Sequence, residues 1–233
     1  MRYLLLLFDL DETLYPTTSG LWNAIAQRMQ DYMVDRLGIP ADQADTIRRS
    51  YFEKYGTTLK GLQANYQVDA VDFLRYVHDI PLDKVLEPDP ALRPLLLSLP
   101  QKKWICTNAD RGHAQRVLNY LGVKDCFAGI TDIIDADFDP KPSTTFYQTA
   151  LSMAGMQDPQ SCVLFDDLPR NLETASIMGL TTVLVRLEAV RAALPVPYAS
   201  LMVPSVHALP EVFPELWESA SETASETASK TAS

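Results

Sequence analysis

The chain predicts an α/β fold: an open, parallel, Rossmann-like sheet with a helical module inserted after its first strand. Three observations lead there. Short apolar runs of strand length recur along the chain, most of them bounded by Gly, Pro, Asp or Asn, as buried parallel strands are. Helical periodicity separates the later runs, so strand and helix alternate in the way right-handed crossovers require. The first crossover is much longer than one helix needs.

The elements follow in order. Tyr3–Asp9 is the first strand. Its apolar run is cut by Asp9, Asp11 and Glu12, which leaves it too short for the hydrophobic region of a signal peptide. One helix at Pro90–Leu99 suffices to return the chain to a second strand at Lys103–Thr107. Roughly 70 further residues lie between them. Within these, Leu21–Leu37, Ala41–Tyr55 and Val68–Val77 carry apolar residues at three- and four-residue spacing. A module in that position leaves the sheet at the C-terminal strand edge, where open α/β sheets bind ligands, so it is expected to form a lid. Helices at Arg111–Leu121, Ser143–Ala154 and Arg170–Met178 then alternate with strands at Gly129–Ile134, Cys162–Asp166 and Thr181–Val185. The expected division is a catalytic core from 1–15 and 88–218, a helical cap from 16–87, and a tail from 219–233. That tail is a Ser/Thr/Ala/Glu repeat without a large apolar side chain and is expected to be disordered.

Composition removes several function classes. At 233 residues and 47% hydrophobic, the chain can bury a sizeable core without disulfide or metal staples. Cys106, Cys126 and Cys162 show no C-x-x-C spacing, and the three histidines lie far apart, so neither a zinc ribbon nor a His-rich metal site is expected. Thirty acidic against 20 basic residues argue against nucleic-acid and anionic-membrane partners. No run approaches the roughly 18 apolar residues of a membrane span. A cytoplasmic location is the expectation.

Four features with chemical potential fall at strand ends or in the loops after them. Asp9 and Asp11 can both project from the first strand end toward one ligand. Thr107-Asn108 offers a hydroxyl and free N–H groups to an anion at the second. Lys141, between Pro140 and Pro142, sits just before a helix; alone it reads as a surface lysine. Asp166-Asp167 closes a buried strand with adjacent carboxylates, whose repulsion a hard cation would relieve. Together these carry more weight than any one alone. Gly56–Gly61 has only the first half of a phosphate-binding loop, because Leu62-Gln63 replaces the Lys-Ser/Thr that would follow. Trp22, Met29 and Met33 read as packing residues of the helical module, and Cys106 and Cys162 as inert core thiols.

Asp9-x-Asp11-x-Thr13, Thr107-Asn108, Lys141 and Asp166-Asp167, in that order and spacing, resemble the haloacid dehalogenase (HAD) superfamily of phosphatases, and the long insertion resembles its helical cap of the first type. A finer resemblance, to the pyrimidine 5′-nucleotidase branch, rests on five stretches. They are Phe8–Pro16, Tyr55–Leu62, Pro88–Pro90, Thr107–Asp110 with His113–Leu118, and Asp166–Asn171.

The resemblance implies a Mg²⁺-dependent phosphomonoesterase acting on a pyrimidine nucleoside monophosphate. Asp9 would be the nucleophile, forming an aspartyl-phosphate. Asp11 would be the acid and then the base. Thr107, Asn108 and Lys141 would bind the phosphoryl group. Mg²⁺ would be held by Asp9, the Asp11 backbone carbonyl, Asp167 and Asp166, with Asn171 supporting the loop. Another small phosphometabolite, such as a sugar phosphate, is the alternative substrate. A dehalogenase has no need of Asp11, and a phosphoacceptor signalling domain places its lysine late and carries no cap. Within the insertion, Lys60 in the Gly56–Gly61 stretch, read as a turn between helices, is the candidate for substrate selection.

Overall fold

The computed structural model describes residues 2–218. Six parallel strands form one sheet: β1 (Leu5–Phe8), β2 (Lys102–Cys106), β3 (Gly129–Thr131), β4 (Cys162–Asp166), β5 (Thr181–Val185) and β6 (Leu201–Val203), in the order β3-β2-β1-β4-β5-β6. All four residues of β1 are buried because both faces of the strand are covered. Leu6 and Phe8 pack with Leu92, Val117 and Val163 on one side; Leu5 and Leu7 pack with Phe146, Leu164 and Leu172 on the other. Each such side chain contributes about 1.5–3 kcal/mol on burial, so an unbroken apolar run is what a doubly covered strand selects.

The register positions the site. Chain order runs outward from β1 through β2 to β3, and then from β4 through β5 to β6, so the order reverses between β1 and β4. A crevice at such a reversal is where open α/β sheets bind ligands. Phe8 pairs with Phe165 on β4 and with Ile105 on β2. One residue further along, Asp9 donates its N–H to the Phe165 carbonyl at 2.9 Å, which sets its side chain beside Asp166.

The insertion holds four helices: α1 (Leu21–Leu37), α2 (Ala41–Tyr55), α3 (Thr58–Asn65) and α4 (Ala70–Val77). They enclose an apolar cluster of their own, including Tyr32, Met33, Leu62 and Phe73, while the start of α1 packs Leu21 and Ile25 into the sheet's cluster. The remaining helices are α5 (Leu92–Ser98), α6 (Arg111–Tyr120), α7 (Thr144–Met153), α8 (Pro169–Ile177), α9 (Leu187–Ala192) and α10 (Leu209–Val212).

Several elements differ from the sequence reading, which holds none of α3, β6, α9 and α10 and runs the third strand on to Ile134, three residues past its end at Thr131. The Gly56–Gly61 stretch is not a turn throughout: Gly56 ends α2 at φ 89°, but Thr57 caps α3 by accepting from the Lys60 N–H at 3.1 Å. Gly61 therefore lies inside a helix, where a Cβ would come within 2.4 Å of Tyr51. Its role is to let α3 approach α2. The sixth strand, three residues long with only Val203 fully sheltered, was too short to read from pattern. The expected disorder of 219–233 falls outside the described residues. Among the described residues, no helix is long and apolar enough to cross a membrane.

Candidate active site

The strand ends bring Asp9, Lys141, Asp166 and Asp167 together. Lys141 Nζ donates to Asp9 Oδ1 at 2.6 Å and to Asp166 Oδ2 at 2.7 Å, and the lysine is 2% exposed. It is thus not a surface lysine. Asn108 explains its placement: the side-chain oxygen accepts from the Lys141 N–H at 2.8 Å, and the side-chain amide donates to the Lys141 carbonyl at 3.2 Å. The loop after β2 is in this way zipped to the loop before α7.

The two adjacent aspartates have different surroundings. Asp166 is fully engaged, accepting from Lys141, from the Asn171 amide at 2.9 and 3.0 Å, and from the Leu168 N–H at 2.9 Å. Asp167 accepts from no donor among the described residues and lines the cleft. Asp9, Asp166 and Asp167 each present a carboxylate oxygen within 4.8 Å of the others, and all three are buried. Thr13 donates its hydroxyl to Asp9 Oδ2 at 3.3 Å, and Thr107 lies beside them with its oxygen accepting from the Ala109 N–H at 3.0 Å.

The electrostatics reflect three carboxylates around one ammonium. Burial pushes the Asp9 carboxyl up to about 7, against the pull of Lys141 and with the push of Asp166. Burial together with Asp166 and Asp9 holds Asp167 well above the ordinary carboxylate range. For Lys141, burial works against the charge, but Asp166 and Asp9 outweigh it and keep the ammonium above its usual value.

Asp11 is held separately. Its Oδ1 accepts from the Tyr15 hydroxyl at 2.6 Å and from His113 Nε2 at 2.9 Å. Burial would raise this carboxyl, yet His113 and Tyr15 outweigh it and keep Asp11 below its ordinary value. His113 stacks on His78 with ring centres 4.2 Å apart, and His78 Nδ1 donates to Asp110 Oδ2 at 2.5 Å. Sequence reasoning assigned no role to Tyr15, His78, Asp110 or His113. A signal was there: Asp110 follows a strand end and caps α6 by accepting from the His113 N–H at 3.0 Å, which aims the His113 ring back at the strand ends. Three scattered histidines in sequence became two stacked ones in space.

Between the strand ends and α1–α4 lies a cleft of about 250 Å³. Its helical wall includes Trp22, Met29, Phe52, Phe73 and Arg48. Trp22 and Met29, read as packing residues, pack against the sheet's cluster and face the cleft as well, whereas Met33 is wholly interior. Lys60 does not line the cleft; its Nζ donates to Asp139 at 2.5 Å across to the loop before Lys141. Its helix turns it outward, and the neighbours that do face the cleft are Gly56, Thr57, Thr58 and Leu59.

The profile of the haloacid dehalogenase-like hydrolases matches residues 3–179. The chain is 33% identical over 195 residues to phosphate metabolism protein 8 of Saccharomyces cerevisiae. That match covers 78% of this chain and 61% of the yeast protein, so the chain spans less than two thirds of that relative's length. A solved HAD phosphatase from Thermococcus onnurineus superposes with a TM-score of 0.62 at 18% identity, covering 91% of this chain and 97% of that one. A HAD-hydrolase from Bacillus subtilis, solved bound to magnesium, gives 0.61 at 17% identity, covering 91% and 98%. Solved haloacid dehalogenases and a β-phosphoglucomutase share the fold too, so these likenesses speak to fold alone.

Proposed function

The chain belongs to the haloacid dehalogenase-like hydrolases, and on that footing we propose that it is a Mg²⁺-dependent phosphomonoesterase of pyrimidine nucleoside monophosphates. One observation carries the reading. Two carboxylates from a single strand end are held in opposite ways: Asp9 inside a buried carboxylate cluster with Lys141, Asp11 apart from it on Tyr15 and His113. Nucleophile and acid–base group need such separation. Displacing a halide needs no second acid.

The donor set suits the metal. Three buried carboxylates with one ammonium leave a negative balance, and oxygen ligands at this spacing match a hard divalent ion. Asp9 and Asp167 would hold Mg²⁺ with Asp166 and the Asp11 backbone, and Asn171 keeps Asp166 oriented. When bound, the ion would neutralise phosphoryl charge that the carboxylates would otherwise repel.

The chain's own residues supply the rest. An Asp9 oxygen attacks phosphorus and the ester P–O bond breaks, giving an aspartyl-phosphate. Asp11 gives a proton to the leaving oxygen, a protonation that the negative phosphoryl group beside it would favour against the pull of His113 and Tyr15; as carboxylate it then takes one from the water that hydrolyses the acyl phosphate. Lys141 uses two of its three donors on Asp9 and Asp166, leaving one for a phosphoryl oxygen alongside the Thr107 hydroxyl and the Asn108 N–H. Residues 16–87 would act as the cap that admits the leaving nucleoside, over a core of 1–15 and 88–218. Three buried free cysteines suit a reducing compartment, which supports a cytoplasmic location.

The test is phosphate release from UMP, CMP, AMP, ribose 5-phosphate and p-nitrophenyl phosphate, with Mg²⁺ and with EDTA. The expected result is Mg²⁺-dependent release, fastest from UMP or CMP. Release confined to ribose 5-phosphate and p-nitrophenyl phosphate would overturn the nucleotide reading, and no release from any ester the phosphatase reading.

A further inference from the structure

We infer that Arg48 reads the carbonyl-bearing edge of the substrate's base, with Phe52 beside it as the face on which the base lies. The inference rests on the nucleotide reading above and assigns its selectivity to residues that the motifs leave untouched.

Arg48 and Phe52 stand one helical turn apart on α2, so both look the same way, and both line the cleft. On the helical wall of that cleft, Arg48 is the one Arg or Lys; its neighbours there are chiefly apolar, among them Trp22, Met29 and Phe73. The Arg48 side chain is only 12% exposed. Its Nε and Nη2 donate to Asp45 Oδ1 at 3.2 and 2.8 Å, while its Nη1 finds no acceptor among the described residues. Asp45 is itself divided, since its other oxygen accepts from Arg49 Nε at 2.7 Å. One carboxylate between two guanidiniums leaves positive charge and open donors. The guanidinium is mostly sheltered among apolar groups yet keeps a donor without a partner among the described residues, which an acceptor carried in by a ligand can take up.

The backbone at both positions is tied down, and each side chain has a partner, Asp45 for Arg48 and Arg170 for the Phe52 ring. The Thr58 hydroxyl donates to the Arg48 carbonyl at 3.4 Å, tying α3 to α2 at that turn. Arg170, on α8 just past Asp167, donates to the Phe52 carbonyl at 2.9 Å and lays its guanidinium 3.8 Å from the Phe52 ring centre. Pre-set groups lose little freedom when a ligand arrives. The strand ends already account for the phosphoryl group, so what remains is a leaving group with a flat apolar body and acceptors on its rim. A pyrimidine meets that description through its ring carbonyl oxygens, and a guanidinium fork meets such acceptors in plane.

The experiment compares Arg48→Ala and Arg48→Gln with wild type on UMP, CMP, ribose 5-phosphate and p-nitrophenyl phosphate, with circular dichroism to verify folding. Arg48→Ala should lose about 10- to 100-fold in kcat/KM on the two nucleotides, mostly through KM, and less than about threefold on the two esters without a base. Arg48→Gln, which keeps an N–H donor, should recover part of the loss. If wild type hydrolyses UMP but the variants lose equally on UMP and ribose 5-phosphate, or on neither, the inference fails and the nucleotide reading stands. If wild type releases phosphate from ribose 5-phosphate but from no nucleotide, both fail. Should Arg48→Ala be misfolded, Arg48→Gln and competition by free uridine against p-nitrophenyl phosphate decide it: an unchanged uridine inhibition constant in Arg48→Gln overturns the assignment.

Discussion

On the strand-end wall of the cleft, one ammonium, Lys141, is shared by two carboxylates at 2.6 and 2.7 Å; behind the helical wall, one carboxylate, Asp45, is shared at 2.8 and 2.7 Å by two guanidiniums, of which Arg48 lines the cleft. The inversion extends to solvent. Lys141, Asp9 and Asp166 are buried, and a third carboxylate, Asp167, adds to the negative side, whereas the Asp45 side chain is 41% exposed. A buried net negative cluster can persist only with a cation or a proton, which ties the strand-end wall to metal and to phosphoryl chemistry. A half-solvated net positive cluster persists without help and offers its spare donors to whatever enters. On the proposed reading, the first wall would carry out the reaction and the second would choose among substrates.

The largest expected effect separates those roles. Asp9→Asn removes the attacking oxygen and one negative charge while keeping the shape, so turnover should fall by roughly 10⁴-fold or more on every ester tested. The fold should survive, because Lys141 keeps Asp166 as partner. Phosphate release together with circular dichroism checks both points. A folded variant that still turns over UMP above trace level would remove Asp9 from the nucleophile's place. A loss confined to nucleotides would dissolve the division between the walls.

Asp11→Asn should come next and should depend on the leaving group. The amide cannot protonate a nucleoside oxygen, so a loss of roughly 10²–10⁴-fold on UMP is expected. On p-nitrophenyl phosphate, whose leaving group needs little protonation, the loss should be smaller. Equal losses on both esters, measured as kcat, would deny Asp11 its acid–base part and leave it a structural anchor for Tyr15 and His113.

The two walls also differ in how much of them the sequence discloses. A strand end fixes direction as well as place: once Leu5–Phe8 and Cys162–Asp166 are recognised as buried strands, Asp9 and Asp166 must emerge side by side at one edge. The strand-end candidates could therefore be named in advance from residue type and position. Helix α2 gives no such guarantee, because which of its polar residues faces a cleft depends on rotation set by packing. That rotation is fixed in part by Gly61, whose missing side chain lets Tyr51 lie against α3, and a stretch with glycine at both ends and Thr57-Thr58 inside it reads locally as a turn. Hence Lys60 looked poised and Arg48 did not. His78 and His113 were hidden for another reason: their bonds to Asp110 and Asp11 join residues 32 and 102 positions apart, which no local pattern encodes.

The smallest expected effect bears on that last contrast between two cations of the same helical module. Lys60 pairs with Asp139 at 2.5 Å, with side chains 42% and 35% exposed, and it bridges α3 to the loop that carries Lys141. An ion pair this open to water is screened and typically contributes no more than about 1 kcal/mol. Asp139 keeps a second donor, the Ser143 hydroxyl, so losing the lysine leaves the loop anchored. Lys60→Ala should therefore shift Tm by at most a few degrees and leave the ratio of kcat/KM between UMP and p-nitrophenyl phosphate within about twofold of wild type. High salt should erase even the stability difference, since it weakens the pair in the wild type alone. A change in that ratio as large as the one expected for Arg48→Ala would mean that the pair sets how α3 and the Lys141 loop approach each other during turnover. Selectivity would then belong to the closing of the two walls, not to the side chains that line one of them.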